Sequence, residues 1–334
     1  MPVRMTLALA LAVAALAQSD KSPRPIKVQV NEVLVPVTVT DEKGRFVSNL
    51  EARDFRVFDQ NKEQHIEFFS RDRNQPVVVG FLLDMSNNTR IHWKNYLDAV
   101  QDLVLNLLPG DKKFSGYLIT YANEPELLIN TTSDPEPIVD KVRKLKPGGG
   151  SSLFDAIYMA CMNRQTVEGE PYEPRRVLIV IGDGHDNASK KSLDQVLEIA
   201  QRNMVTIYGM STVSFGFSSE GDDDLQRLTS ETGGHVEYPL NNLYTDVDGY
   251  LSHPSDDGNY ALTVGVGAYA SEVSAGIFHA IASIAGEVTT QYILRYVPDV
   301  GSANTKLFRN IKVVVPDLPA AKVRFRKGYY PFAP

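Results

Sequence analysis

The chain has 334 residues, 43% of them hydrophobic and 22% charged, proportions that exclude a disordered or low-complexity protein. Its length suits one large domain with a smaller companion, and the single cysteine, Cys161, excludes an intramolecular disulfide. A net charge of −7 argues against nucleic acid or an anionic membrane as the main partner.

Residues 1–17 read as a signal peptide. Arg4 gives the leading positive charge, Leu7 to Ala17 is unbroken apolar sequence, and Ala15-Leu16-Ala17 has the small-x-small form of a cleavage site. The run is too short for a comfortable membrane span, so the mature chain is expected to be exported and to lack a membrane span, staying in the periplasm, at the cell surface or secreted. Loss of Arg4 would leave it one charge more acidic. Export without disulfides suits a bacterial envelope.

Strand patterns come next: Val28 to Thr40, Phe55 to Phe58 and His65 to Phe69, with polar turns at Asp41–Gly44 and Asp59–Lys62. Residues 26–73 are read as the first part of a β-sandwich-like domain. At Pro76 the character changes. Val77 to Leu83 (VVVGFLL) is continuously apolar, as in a strand buried on both faces of a parallel sheet. Trp93, Leu97, Val100, Val104 and Leu107 then mark an amphipathic helix that stops at Pro109-Gly110.

The alternation continues with strands at Gly116–Tyr121, Glu126–Ile129, Arg176–Ile181 and Val205–Tyr208. Helices are expected at 135–145, 153–164, 193–202, 222–232 and 271–285. Such an order predicts a doubly wound, mostly parallel α/β domain over residues 76–286. Residues 240–269 carry no clear period. Strand patterns return at Thr289–Val297, Phe308–Val315 and Val323–Arg326, and residues 289–330 are expected to complete the β domain begun before the α/β segment.

In a doubly wound sheet, functional groups gather at the carboxyl ends of the strands. The first buried strand ends in Asp84-Met-Ser86-Asn87-Asn88 and another ends in Gly182-Asp183-Gly184-His185-Asp186. A third oxygen-rich loop, Gly148 to Ser152, opens a helix. Carboxylates and hydroxyls meeting at one edge suit a hard cation such as Mg²⁺, which takes few protein oxygens and keeps its waters.

These residues resemble a von Willebrand factor A (vWA) domain with a metal-ion-dependent adhesion site, most closely the vWA-related proteins of acidobacteria. The DxSxS motif is matched by Asp84, Ser86 and Asn88, with asparagine in the last place. The family threonine falls on Ser151 in GGGSSLFDAI, and the second aspartate on Asp183 in VLIVIGDGHDN. Thr232-Gly-Gly234, Gln291-Tyr292 and Gly328-Tyr-Tyr330 extend the likeness. The resemblance implies Mg²⁺, with Mn²⁺ or Ca²⁺ as alternatives. Ser86 and Asn88 would be direct ligands, Ser151 direct or water-bridged, and Asp84 and Asp183 would hold waters or bind directly.

The implied role is non-enzymatic: binding an extracytoplasmic protein or peptide whose Asp or Glu completes the cation's shell. Two alternatives stand beside it. One is an assembly subunit with a vestigial site, and the other a metal-assisted hydrolase with His185 or Asp186 as base. His65, His92, His235, His253 and His279 form no HExxH spacing.

Overall fold

A computed structural model describes residues 32–71, 76–90, 93–162, 174–212, 220–239, 266–298 and 307–331. The signal-peptide reading of 1–17 and the unassigned segment up to residue 265 lie outside these residues. Among the described residues no helix is long and apolar enough to cross a membrane.

The strands are β1 (Val33–Thr40), β2 (Arg56–Asp59), β3 (Lys62–Gln64), β4 (Phe68–Ser70), β5 (Val77–Asp84), β6 (Phe114–Tyr121) and β7 (Pro125–Thr132). They continue as β8 (Arg175–Gly182), β9 (Thr206–Ser211), β10 (Val236–Glu237), β11 (Tyr292–Tyr296), β12 (Arg309–Val314), β13 (Lys322–Phe325) and β14 (Gly328–Tyr329). The helices are α1 (Trp93–Leu107), α2 (Glu136–Val142), α3 (Leu153–Met162), α4 (Leu193–Arg202), α5 (Glu220–Thr232) and α6 (Val266–Thr290).

Six strands form the central sheet in the order β10-β9-β8-β5-β6-β7. All pairs are parallel except β6–β7, so β7 is an antiparallel edge. The apolar run in β5 is explained by its place in the middle of this sheet. Val77, Val79, Phe81 and Leu83 pack with α1, α2 and α6 on one face, while Val78 and Leu82 pack with α3, α4 and α5 on the other. Cys161 is buried in this second layer. The doubly wound α/β reading therefore holds.

The flanking strands form two antiparallel sheets, β13-β1-β11-β4 and β14-β12-β2-β3, closed over one core that includes Val35, Val37, Phe55, Val57, Leu294 and Val313. Strands from both sides of the α/β segment pair directly: β1 with β11 and β13, and β2 with β12.

Two local expectations change. His65–Phe69 is not one strand. Gln60 and Asn61 take left-handed backbone angles (φ 50° and 64°) and turn β2 back on β3, whereas β4 leaves for the other sheet to pair with β11. The closing helix also runs past Ala285 to Thr290, so the strand expected from Thr289 starts at Tyr292. The hydroxyls of Thr289 and Thr290 donate to the carbonyls of Ala285 (2.8 Å) and Gly286 (2.7 Å), four residues back, and satisfy both threonines within the last helical turn.

Several polar residues fasten the α/β layers to the β flank. Gln291 Nε2 donates to Tyr208 OH (2.9 Å) and Thr38 Oγ1 (3.1 Å). The fully buried carboxylate of Glu287 on α6 accepts from Thr38 (2.7 Å) and Tyr208 (3.3 Å). It is also paired with Arg324 of β13, and His235 Nδ1 lies 3.1 Å from its Oε2.

Candidate metal centre

The parallel strands β5 and β8 end on the same edge of the sheet, which puts Asp84 and Asp183 on neighbouring loops. The Asp84 loop is fixed by its backbone: Met85 N donates to Tyr121 O (2.8 Å), and Gly148 N to Met85 O (2.6 Å). Asn87 N reaches Gly149 O (3.2 Å) and so joins this loop to the one that carries Ser151. Gly149 has φ +109°, a conformation that glycine adopts without a side-chain clash.

The Ser151 loop is held from the opposite side. Asn187 Oδ1 accepts from Ser151 N (2.9 Å), while the Ser151 carbonyl accepts from the amides of Asn187 and Ala188, each at 2.9 Å. Asn123 Oδ1 accepts from Gly150 N (2.7 Å). Asp186 accepts from Phe154 N (2.8 Å) and Ser189 Oγ (2.6 Å), placing its charge at the start of α3, where the helix dipole favours an anion. Asp186 is thus engaged as a helix cap, while His185 is exposed on the loop.

The polar atoms of the site fall into two groups. Asp84 Oδ2, Ser86 Oγ and Ser151 Oγ are all buried with no hydrogen-bond partner, and the residues themselves are 1%, 3% and 1% exposed. Asp84 Oδ1 accepts from Ser86 N (2.6 Å). The second group is self-satisfied: Asp183 Oδ1 accepts from His185 N (2.9 Å) and its Oδ2 from Asn88 Nδ2 (2.9 Å).

Burial pushes the Asp84 carboxyl up to about 7. The Ser86 amide opposes that rise, and the Asp183 charge adds to it. A buried oxygen without a partner costs about 1–3 kcal/mol, and each of these three atoms is left short of a partner. Two hydroxyls and a carboxylate are hard donors of the kind that Mg²⁺ accepts. All five residues singled out from the sequence, Asp84, Ser86, Asn88, Ser151 and Asp183, therefore stand on loops joined to one another at one sheet edge.

Two more oxygens belong to the same neighbourhood, one from the oxygen-rich loop at Ser152 and one, Tyr121, that carried no sequence signal. Tyr121 OH and Ser152 Oγ are buried and unpartnered. Tyr121 ends β6 directly beside Asp84 in the parallel register. Gly182 makes room for both: a Cβ there would lie 2.5 Å from Tyr121 OH and 2.8 Å from Asp84 Cβ. Gly182→Ala is accordingly expected to cost about 1–3 kcal/mol by overpacking and to displace Asp84. Urea denaturation would give the first effect, and a cation titration the second.

The sequence of residues 79–245 matches the family model of the von Willebrand factor type A domain. This chain belongs to that family. No curated protein matches it. Among solved structures, the vWA chain is similar to proximal thread matrix protein 1 of the mussel byssus, described with a zinc-occupied MIDAS motif. The identity is 19% over 51% of this chain and 42% of that one, with a TM-score of 0.42.

It is also similar to the vWF domain of the pilus tip protein Mfa5 of Porphyromonas gingivalis (23% identity, 34% and 39% coverage, TM-score 0.30). An aerotolerance-related membrane protein of Bacteroides fragilis is a third likeness (15%, 57% and 99%, 0.39). The match spans less than half the length of the first two proteins.

Proposed function

We propose that this vWA chain is an exported, non-enzymatic binding protein, akin to the acidobacterial vWA-related group. Its strand-end loops would hold a Mg²⁺-type cation, with Mn²⁺ or Ca²⁺ as substitutes, and an Asp or Glu of an extracytoplasmic protein or peptide would complete the shell. The observation that carries this reading is the trio of buried, unpartnered oxygens, Asp84 Oδ2, Ser86 Oγ and Ser151 Oγ. Two hydroxyls add no negative charge, so a cation held by them keeps much of its positive charge for an incoming carboxylate. Of the two bases named for the hydrolase alternative, Asp186 is occupied at the start of α3 and His185 is exposed on its loop.

Titration of Mg²⁺, Mn²⁺ and Ca²⁺ into the chelator-treated protein, followed by calorimetry and thermal melting, tests the proposal. At a hundredfold excess over its dissociation constant, a bound cation should add about 2.7 kcal/mol to stability. Ser86→Ala should abolish this gain and, with it, cation-dependent capture of an acidic peptide. A gain that survives Ser86→Ala and Ser151→Ala would place the ion elsewhere and defeat the proposal.

A further inference from the structure

The last position of the DxSxS pattern is asparagine in this chain, and its side chain behaves differently from the two serines. Ser86 Oγ and Ser151 Oγ are buried without partners, whereas Asn88 is exposed and donates from Nδ2 to Asp183 Oδ2 at 2.9 Å. The orientation of this amide follows from chemistry: its carbonyl oxygen facing a carboxylate would be repelled, so the NH₂ side must face Asp183. The other Asp183 oxygen accepts from His185 N at 2.9 Å. Asp183 is thus gripped on both oxygens by N–H donors from two loops, one after β5 and one after β8.

We propose that Asn88 is a positioning residue that restrains Asp183, and that it is not itself a metal ligand. The inference rests on the metal-centre reading given above. Hydrogen bonds to both oxygens draw charge from the carboxylate and fix its direction, which makes Asp183 a weaker competitor for the cation. The cation then depends on Ser86, Ser151 and Asp84 and keeps more of its charge for a partner's carboxylate. Asn88 in this way sets the balance between holding the metal tightly and offering it to a partner.

The sign of one measurement separates restraint from ligation. Mg²⁺ affinity is measured by calorimetry on the full chain for the wild type, Asn88→Ala, Asp183→Ala and the double variant, with Ser86→Ala marking the site. Asn88 is exposed, so its truncation should leave the fold intact, which melting in chelator checks. Under the restraint, Asn88→Ala frees Asp183 to reach the ion and tightens Mg²⁺ binding on the order of tenfold, the scale of one hydrogen bond to a charged group. The gain vanishes in the Asp183→Ala background, because the restraint acts only through Asp183.

Asn88→Ala binding that is weaker than or equal to the wild type, or a change of the same size with and without Asp183, overturns the restraint. Absence of saturable, Ser86-dependent Mg²⁺ binding in both the wild type and Asn88→Ala overturns the metal centre itself, and the restraint with it.

Discussion

Glu287→Ala is expected to destabilise the protein by about 3–5 kcal/mol, the usual result of removing one member of a buried charged set. Its carboxylate is fully buried where α6, β9 and the β flank meet, and it takes hydrogen bonds from Thr38 and Tyr208 beside the Arg324 ion pair. Truncation would leave Arg324 and His235 without that charge and two hydroxyls without an acceptor. Urea denaturation measures the loss directly. A cost below about 1 kcal/mol, the level of an exposed ion pair, would show that Glu287 is not the joint described here.

The same joint gives stability a pH dependence. Burial works against ionisation of Glu287, but His235 and Arg324 outweigh it and hold the carboxyl at about 2. Its contribution is fully present above its ordinary value near 4.5 and is lost as pH falls through 2. Burial also opposes charging of His235, yet Glu237, 2.8 Å from Nε2, and Glu287 raise it to about 9. That contribution is fully present below 6.5 and is lost as pH rises through 9. Melting temperature should therefore form a plateau between about pH 4.5 and 6.5, and the alkaline slope should be smaller in Glu287→Ala.

Asp59→Ala should cost a similar amount, about 3–5 kcal/mol, within the sandwich. Asp59 is 0% exposed. Its Oδ1 accepts from Arg309 Nε and pairs with Nη2, both at 2.9 Å, while its Oδ2 accepts from Tyr329 OH (2.9 Å) and Tyr296 OH (3.1 Å). Arg309 and Tyr329 come from the same sheet as Asp59, and Tyr296 from the facing one, so this carboxylate ties the two sheets together. Asp59→Asn retains one acceptor oxygen and loses the charge. It should fall between wild type and alanine in a urea series, and equality with wild type would show that the charge contributes nothing.

The parts of this fold that could be read from sequence were those with a strong period or continuous apolarity. Val77–Leu83 announced a central parallel strand because both its faces are covered, and α1 showed its buried stripe through residues spaced three and four apart. His65–Phe69 misled because three-residue strands have too little length for an alternation to show; the left-handed pair Gln60-Asn61 turns β2 back into β3, and β4 begins only at Phe68. The candidate site residues were visible as polar runs at strand ends. Tyr121 was not, because its place beside Asp84 depends on the register between β5 and β6.

The sequence marks Glu287 as an acid within the largely apolar stretch Ile277–Val288 of α6. His235 has no motif spacing to mark it, and its partner Glu287 is brought to it by the tertiary fold.

The pairing of strands from before and after the α/β segment bears on the order of folding. Val33 pairs with Tyr296 and Val37 with Phe325, so the sandwich cannot close until the strands that follow the α/β segment are available. Such distant pairings are slow when sought by an unstructured chain. Here Ser70 pairs with Ile293, so the chain leaves the sandwich and returns to it through adjacent strands. Once the intervening α/β layers have formed, the search for that closure shrinks to the alignment of neighbours. The central sheet is therefore expected to form first, and a destabilising substitution in its strands should slow the folding of a β domain in which none of them takes part, as refolding kinetics would measure.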